Sequence, residues 1–106
     1  MNHTPGPWTV FDGQYPIGTI SINKDVETRI ATIEINDAYS AKESAGNAVL
    51  IAAAPDLLDA LKSICEMNYQ QAEDQYGDRN KAKTWRCVIT AESAIKKATE
   101  DLKQFE

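Results

Sequence analysis

The chain reads as an α+β protein: an N-terminal three-stranded antiparallel β-meander packed against a short helix and a long antiparallel helical hairpin. Two features of the sequence predict this. Apolar and polar residues alternate through the first third of the chain, the pattern of half-buried strands, whereas from about residue 40 the apolar positions recur at spacings of three and four. Gly and Pro cluster in the first eighteen residues and thin out afterwards, as expected when turns give way to long helices. At 106 residues the length fits one domain, with a meander over 1–36 and a helical part over 40–106.

The opening His3-Thr4-Pro5-Gly6-Pro7-Trp8 cannot be helical, because its prolines fix φ and drive the preceding residues extended. Trp8-Thr9-Val10-Phe11 suits a first strand, and Asp12-Gly13 a turn. A second strand fits 18–23, with Ile20 and Ile22 on one face and Thr19 and Ser21 on the other. The third and clearest covers 29–35: Ala31, Ile33 and Ile35 point one way, and Ile30, Thr32 and Glu34 the other. Short connections favour a meander, and three strands need a covering layer to be stable.

Asn36-Asp37 breaks the strand pattern. A short helix then runs from Ser40 or Ser44 to about Ala53, with Gly46, Ala48, Ala52, Ala53 and Ala54 small enough to let it approach the sheet. Pro55 interrupts it and suits the first turn of a new helix, where Asp56 favours the macrodipole. That helix carries Leu57, Leu58, Leu61, Ile64, Cys65 and Ala72 towards one face and ends near Gln75, with Gly77 left-handed and Asp78 capping the next helix. The last helix has a seam of Thr84, Val88, Ala91, Ile95, Ala98 and Leu102. Folding back about Tyr76-Gly77 sets Cys65 opposite Val88 and beside Cys87. Two free thiols in a reducing cytoplasm, or a disulfide or redox pair, both fit that placement.

The composition excludes several functions. A formal charge of −5 supplies no bulk attraction to nucleic acid or to an anionic membrane, which argues against direct nucleic-acid binding. No run reaches the roughly eighteen apolar residues of a membrane span, and the N-terminus lacks the regions of a signal peptide. A cytoplasmic location is the expectation. Two cysteines and one histidine make no metal-ligand spacing. Glu73 and Asp74 are neighbours in sequence and so diverge on a helix. His3 has no carboxylate or nucleophile beside it and belongs to a structural arm in which Trp8 plugs the core. With no phosphate loop, nucleophile elbow or metal motif, the expectation is a non-enzymatic protein with no cofactor and no metal.

One surface invites a ligand or partner. Arg79, Lys83 and Arg86 recur at helical spacing, Lys97 follows further along, and Tyr76 and Trp85 flank them. Cations, aromatics and a helix N-terminus together suit a phosphate or nucleotide, while a solvated face of ion pairs explains the same charges without one. Trp85 and Ile89 fall off the seam, so they meet either the sheet, the first helix or a partner. The candidate site is therefore Tyr76, Arg79, Lys83, Trp85, Arg86 and Ile89.

The opening His3-Thr4-Pro5-Gly6-Pro7-Trp8 and the segment Asn47-Ala48-Val49-Leu50-Ile51-Ala52-Ala53-Ala54-Pro55-Asp56-Leu57-Leu58-Asp59-Ala60-Leu61 together resemble a widespread group of small phage and prophage proteins. From Lys62 onward no familiar pattern follows. The resemblance implies a protein of the bacterial host cytoplasm that acts on the host: an inhibitor docking on a defence complex such as a CRISPR effector, or a homo-oligomeric sponge for an immune nucleotide signal. A phage-replication accessory factor is the third alternative.

Overall fold

The computed structural model describes residues 3–11, 19–25, 27–34 and 41–100. Asp12-Gly13, Gly18, Ile35, Asn36-Asp37, Ser40 and Leu102, to which the sequence assigned turns, strand ends, a break, a helix start and a seam position, lie outside them. The elements are β1 (Thr9–Phe11), β2 (Thr19–Asn23), β3 (Arg29–Glu34), α1 (Ala41–Ala52), α2 (Ala54–Tyr76), a 3₁₀ turn (Arg79–Thr84) and α3 (Arg86–Thr99). They pack as two compact units, Asn2–Asp56 and Leu57–Glu106, and the protein is α+β as its sequence predicts.

In the first unit the sheet order is β1-β2-β3, all antiparallel. Val10 lies opposite Ile22, and Ile22 and Ile20 lie opposite Ala31 and Ile33, so one face carries the apolar side chains. Ile20 and Ile22 cluster there with Ala48 and Ala52 of α1. Ala is what permits this: two methyl groups on one helical face keep the backbone close to the strand. Ser44, inside α1, is also buried and its hydroxyl donates to the Glu34 carbonyl at 3.5 Å. The opposite sheet face bears Thr9, Ser21 and Thr32, in register with one another or with β2 neighbours. Thr19 and Ser21 are buried all the same, as residues of the central strand.

Ile30 departs from the strict alternation. The register slips between Ile22 and Asn23, which pair with Ala31 and Arg29 respectively. The extra residue is Ile30, so Ile30 and Ala31 both pack on the core cluster instead of facing opposite ways. A β-bulge turns successive side chains to one side, and alternation alone cannot reveal it. The β2–β3 connection is held by Asp25, whose Oδ1 accepts the N–H groups of Glu27 and Thr28 at 2.9 and 2.8 Å. These hydrogen bonds hold its carboxyl below the usual range.

Trp8 is half-buried against the same cluster, its indole N–H donating to the Thr4 carbonyl at 3.2 Å, with His3 edge-on at 6.5 Å. The arm is thus held against the core through Trp8. Gly6 abuts Pro55, so closely that a Cβ at residue 6 would stand 2.8 Å from Pro55 Cβ. Pro55 is buried. It also causes the break between α1 and α2, since it has no N–H to donate and its ring crowds the carbonyl four residues back. The two segments that resemble the phage proteins thus touch in space.

In the second unit α2 buries Leu58, Cys65 and Ala72, a seven-residue repeat on one face. Leu57 and Ile64, expected on that face, stay exposed at 50% and 41%. They sit one residue back from Leu58 and Cys65, about 100° round the helix. Gly77 ends α2 with φ of 69° and its N–H reaches the Glu73 carbonyl at 2.8 Å, the left-handed termination foreseen. Asp78 accepts from the Asn80 N–H at 3.0 Å and so caps the 3₁₀ turn, not an α-helix. Only after Trp85, extended at φ −79° and ψ 134°, does α3 begin. Val88 and Ala91 are buried and Ile95 half-buried along the predicted seam, but Ala98 is exposed.

Val88 packs with Ala72 and Ala82, and Cys65 lies near enough to Cys87 for one thiol to bear on the other electrostatically. Cys65 is buried and Cys87 exposed, its thiol 3.5 Å from Asn68 Oδ1, and both are free.

Candidate functional site

The 3₁₀ turn and the start of α3 contain the six residues singled out from sequence, and the fold treats them differently. Arg79 is already engaged. Its Nη2 donates to both carboxylate oxygens of Glu66 at 2.8 and 3.0 Å, its Nη1 to Glu73 at 3.3 Å, and its guanidinium lies 5.5 Å from the Tyr69 ring centre. These hydrogen bonds to carboxylates strengthen its hold on its proton. Arg79 is a clamp fastening the turn to α2, and the compact 3₁₀ geometry is what points it back that way.

Tyr76 is exposed, and Lys81 Nζ lies 4.6 Å from its ring centre, a cation–π pair across Gly77. Lys81 was missed in the sequence because the turn brings it onto a helix that had already ended. Trp85 packs on Ala72, Ala82 and Val88, so it serves this unit's core. Its backbone carbonyl accepts the Ile89 N–H at 2.9 Å, while α3 starts without a side-chain cap or an acidic residue in its first turn.

Lys83, Arg86 and Ile89 remain exposed. Arg86 and Ile89 share a helical face at a spacing of three. Among the described residues neither Lys83 nor Arg86 forms an ion pair, and Ile89 is 55% exposed. The set therefore divides into a clamp, a core residue, an aromatic paired with Lys81, and a free cationic-apolar patch.

Beside it, α2 and α3 enclose an open groove of about 400 Å³ lined by Lys62, Cys65, Glu66, Tyr69, Glu92, Ile95, Lys96 and Thr99. The Tyr69 hydroxyl donates to Glu92 Oε1 at 2.7 Å, and that bond, with some burial, pushes its pKa up to about 12. Burial, with Glu92 adding to it, raises the Cys65 thiol above its usual range. Both effects hold potential nucleophiles in their neutral forms. Two lysines and two glutamates balance, so the groove carries no net charge to attract a phosphate. Among the described residues no cluster of three metal-ligating side chains exists, and no helix is long and apolar enough to cross a membrane.

A family model described as Salmonella phage P22 protein Y8K6 matches residues 1–101. The chain belongs to this phage protein family. Membership in the Y8K6 family extends past the two segments that resemble phage proteins and takes in the 3₁₀ turn and α3 as well. No curated protein and no solved structure matches the chain.

Proposed function

We propose that this phage protein is a non-enzymatic accessory factor that docks on a bacterial host protein, its target a component of host defence such as a CRISPR effector complex. The observation that supports it is the patch of Lys83, Arg86 and Ile89. On a chain of net charge −5, this stretch carries two cations that form no ion pair among the described residues and a large exposed apolar side chain, and arginine is among the residues enriched at interface hot spots. The defence target follows from what small phage proteins commonly do. It rests on family context, not on the geometry of the patch. Sequestration of a nucleotide signal is the runner-up, and the charge balance of the groove disfavours it.

The test separates the two. Tagged protein is used to capture partners from host lysate beside a double variant, Arg86→Glu with Ile89→Asp. Trp85 is left intact because its loss would disturb the core. Docking predicts a host protein retained by the wild type and lost from a variant with unchanged circular dichroism, with affinity falling at least about tenfold. Equal capture by both, or a thermal shift with nucleotides alone, would overturn it.

A further inference from the structure

The groove between α2 and α3 belongs wholly to the second unit, since every residue lining it falls between 62 and 99. Each helix contributes four of them at offsets of zero, three, four and seven, the strip that a helix turns to a neighbour. The apolar floor is Ile95, the Tyr69 ring and buried Cys65. At about 400 Å³ the space lies within the range of small-molecule sites.

The charges along α3 are set apart. Glu92 and Lys96 stand one turn from each other with the glutamate N-terminal, the order that ordinarily closes into an ion pair. Among the described residues neither forms one. Glu92 is instead held from across the groove by the Tyr69 hydroxyl, which donates to its Oε1 at 2.7 Å. A fixed carboxylate and an ammonium outside any ion pair therefore border the apolar floor, their Cβ atoms about 5–6 Å apart.

We infer that this groove binds a single free α-amino acid with a large apolar or aromatic side chain. Its ammonium meets Glu92, its carboxylate meets Lys96, and its side chain lies on Ile95 and Cys65. Charge selects this class. The two lysines and two glutamates of the groove balance, so an ion of one sign gains little on entering, whereas a zwitterion satisfies both signs at once. The two charged groups of an α-amino acid are separated by one carbon, a span that suits side chains one helical turn apart. The floor adds the preference for an apolar side chain. An open groove leaves part of the ligand in water, so it dissociates in about the 0.1–5 mM range. None of Lys83, Arg86 and Ile89 takes part, and the site does not depend on the docking proposal.

The test is a heteronuclear NMR titration of the full chain with phenylalanine and leucine up to about 20 mM. Three compounds run beside them: N-acetyl-phenylalanine lacks the ammonium, phenylalanine amide lacks the carboxylate, and glycine lacks the apolar side chain. The expected result is a saturable shift of backbone signals confined to the groove. Affinity falls at least about fivefold for each of the three compounds, and equally for phenylalanine with Lys96→Gln. Arg86→Glu leaves the titration unaltered, which keeps failure of this inference distinct from failure of docking. No saturable shift, shifts centred elsewhere, equal binding of any of the three compounds, or indifference to Lys96→Gln would each overturn it.

Discussion

Single side chains in this protein have chemistry that can be read directly. Tyr69 donates its hydroxyl to Glu92, so ionising it places a phenolate against a carboxylate. Its folded pKa, about 12, lies above the ordinary tyrosine value. The stabilisation it contributes is therefore complete below that ordinary value and is lost as pH rises through about 12. Among the four tyrosines, ultraviolet titration will show a late step that Tyr69→Phe removes. The thiols differ in a similar way. Cys87 is exposed, whereas Cys65 is buried with a raised pKa, so a thiol reagent will label Cys87 at least about tenfold faster in native protein and both equally after denaturation. Gly6 is constrained by space. A methyl group there would meet Pro55 Cβ at 2.8 Å, and both belong to backbone-restrained elements, so Gly6→Ala will destabilise the protein by about 1–3 kcal/mol in a denaturant melt.

The terminus of α2 is coded by one residue. Gly77 sits at φ 69° with open space around it, so Gly77→Ala meets no clash and suffers only the left-handed backbone penalty, about 1 kcal/mol, measurable as a shift in thermal midpoint. That ending was legible in the sequence, as were the three strands, the Pro55 break and the arm, because each depends on local backbone chemistry. What stayed hidden depended on contacts. Alternation could not show the bulge at Ile30, which exists only relative to the partner strand. Leu57 and Leu58 are equally apolar, and nothing in the residues said which would point inward. Arg79, Lys83 and Arg86 have helical spacing, yet the chain between Asp78 and Trp85 winds as a 3₁₀ turn around buried Ala82. For that reason the candidate site kept Arg86, Lys83 and Ile89 on its surface while Arg79 became a clamp and Trp85 a core residue.

At the scale of the whole molecule, net charge sets how its surfaces behave. Salt screens repulsion between copies of charge −5 but also screens attraction at the cationic patch. Raising ionic strength from about 0.05 to about 0.5 M will therefore weaken capture of a docked host protein. The contact between Gly6 and Pro55 also makes the arm a long-range element: its seat is encoded far along the sequence, at the helix break, so a fragment cut just before Pro55 would carry an arm without its dock.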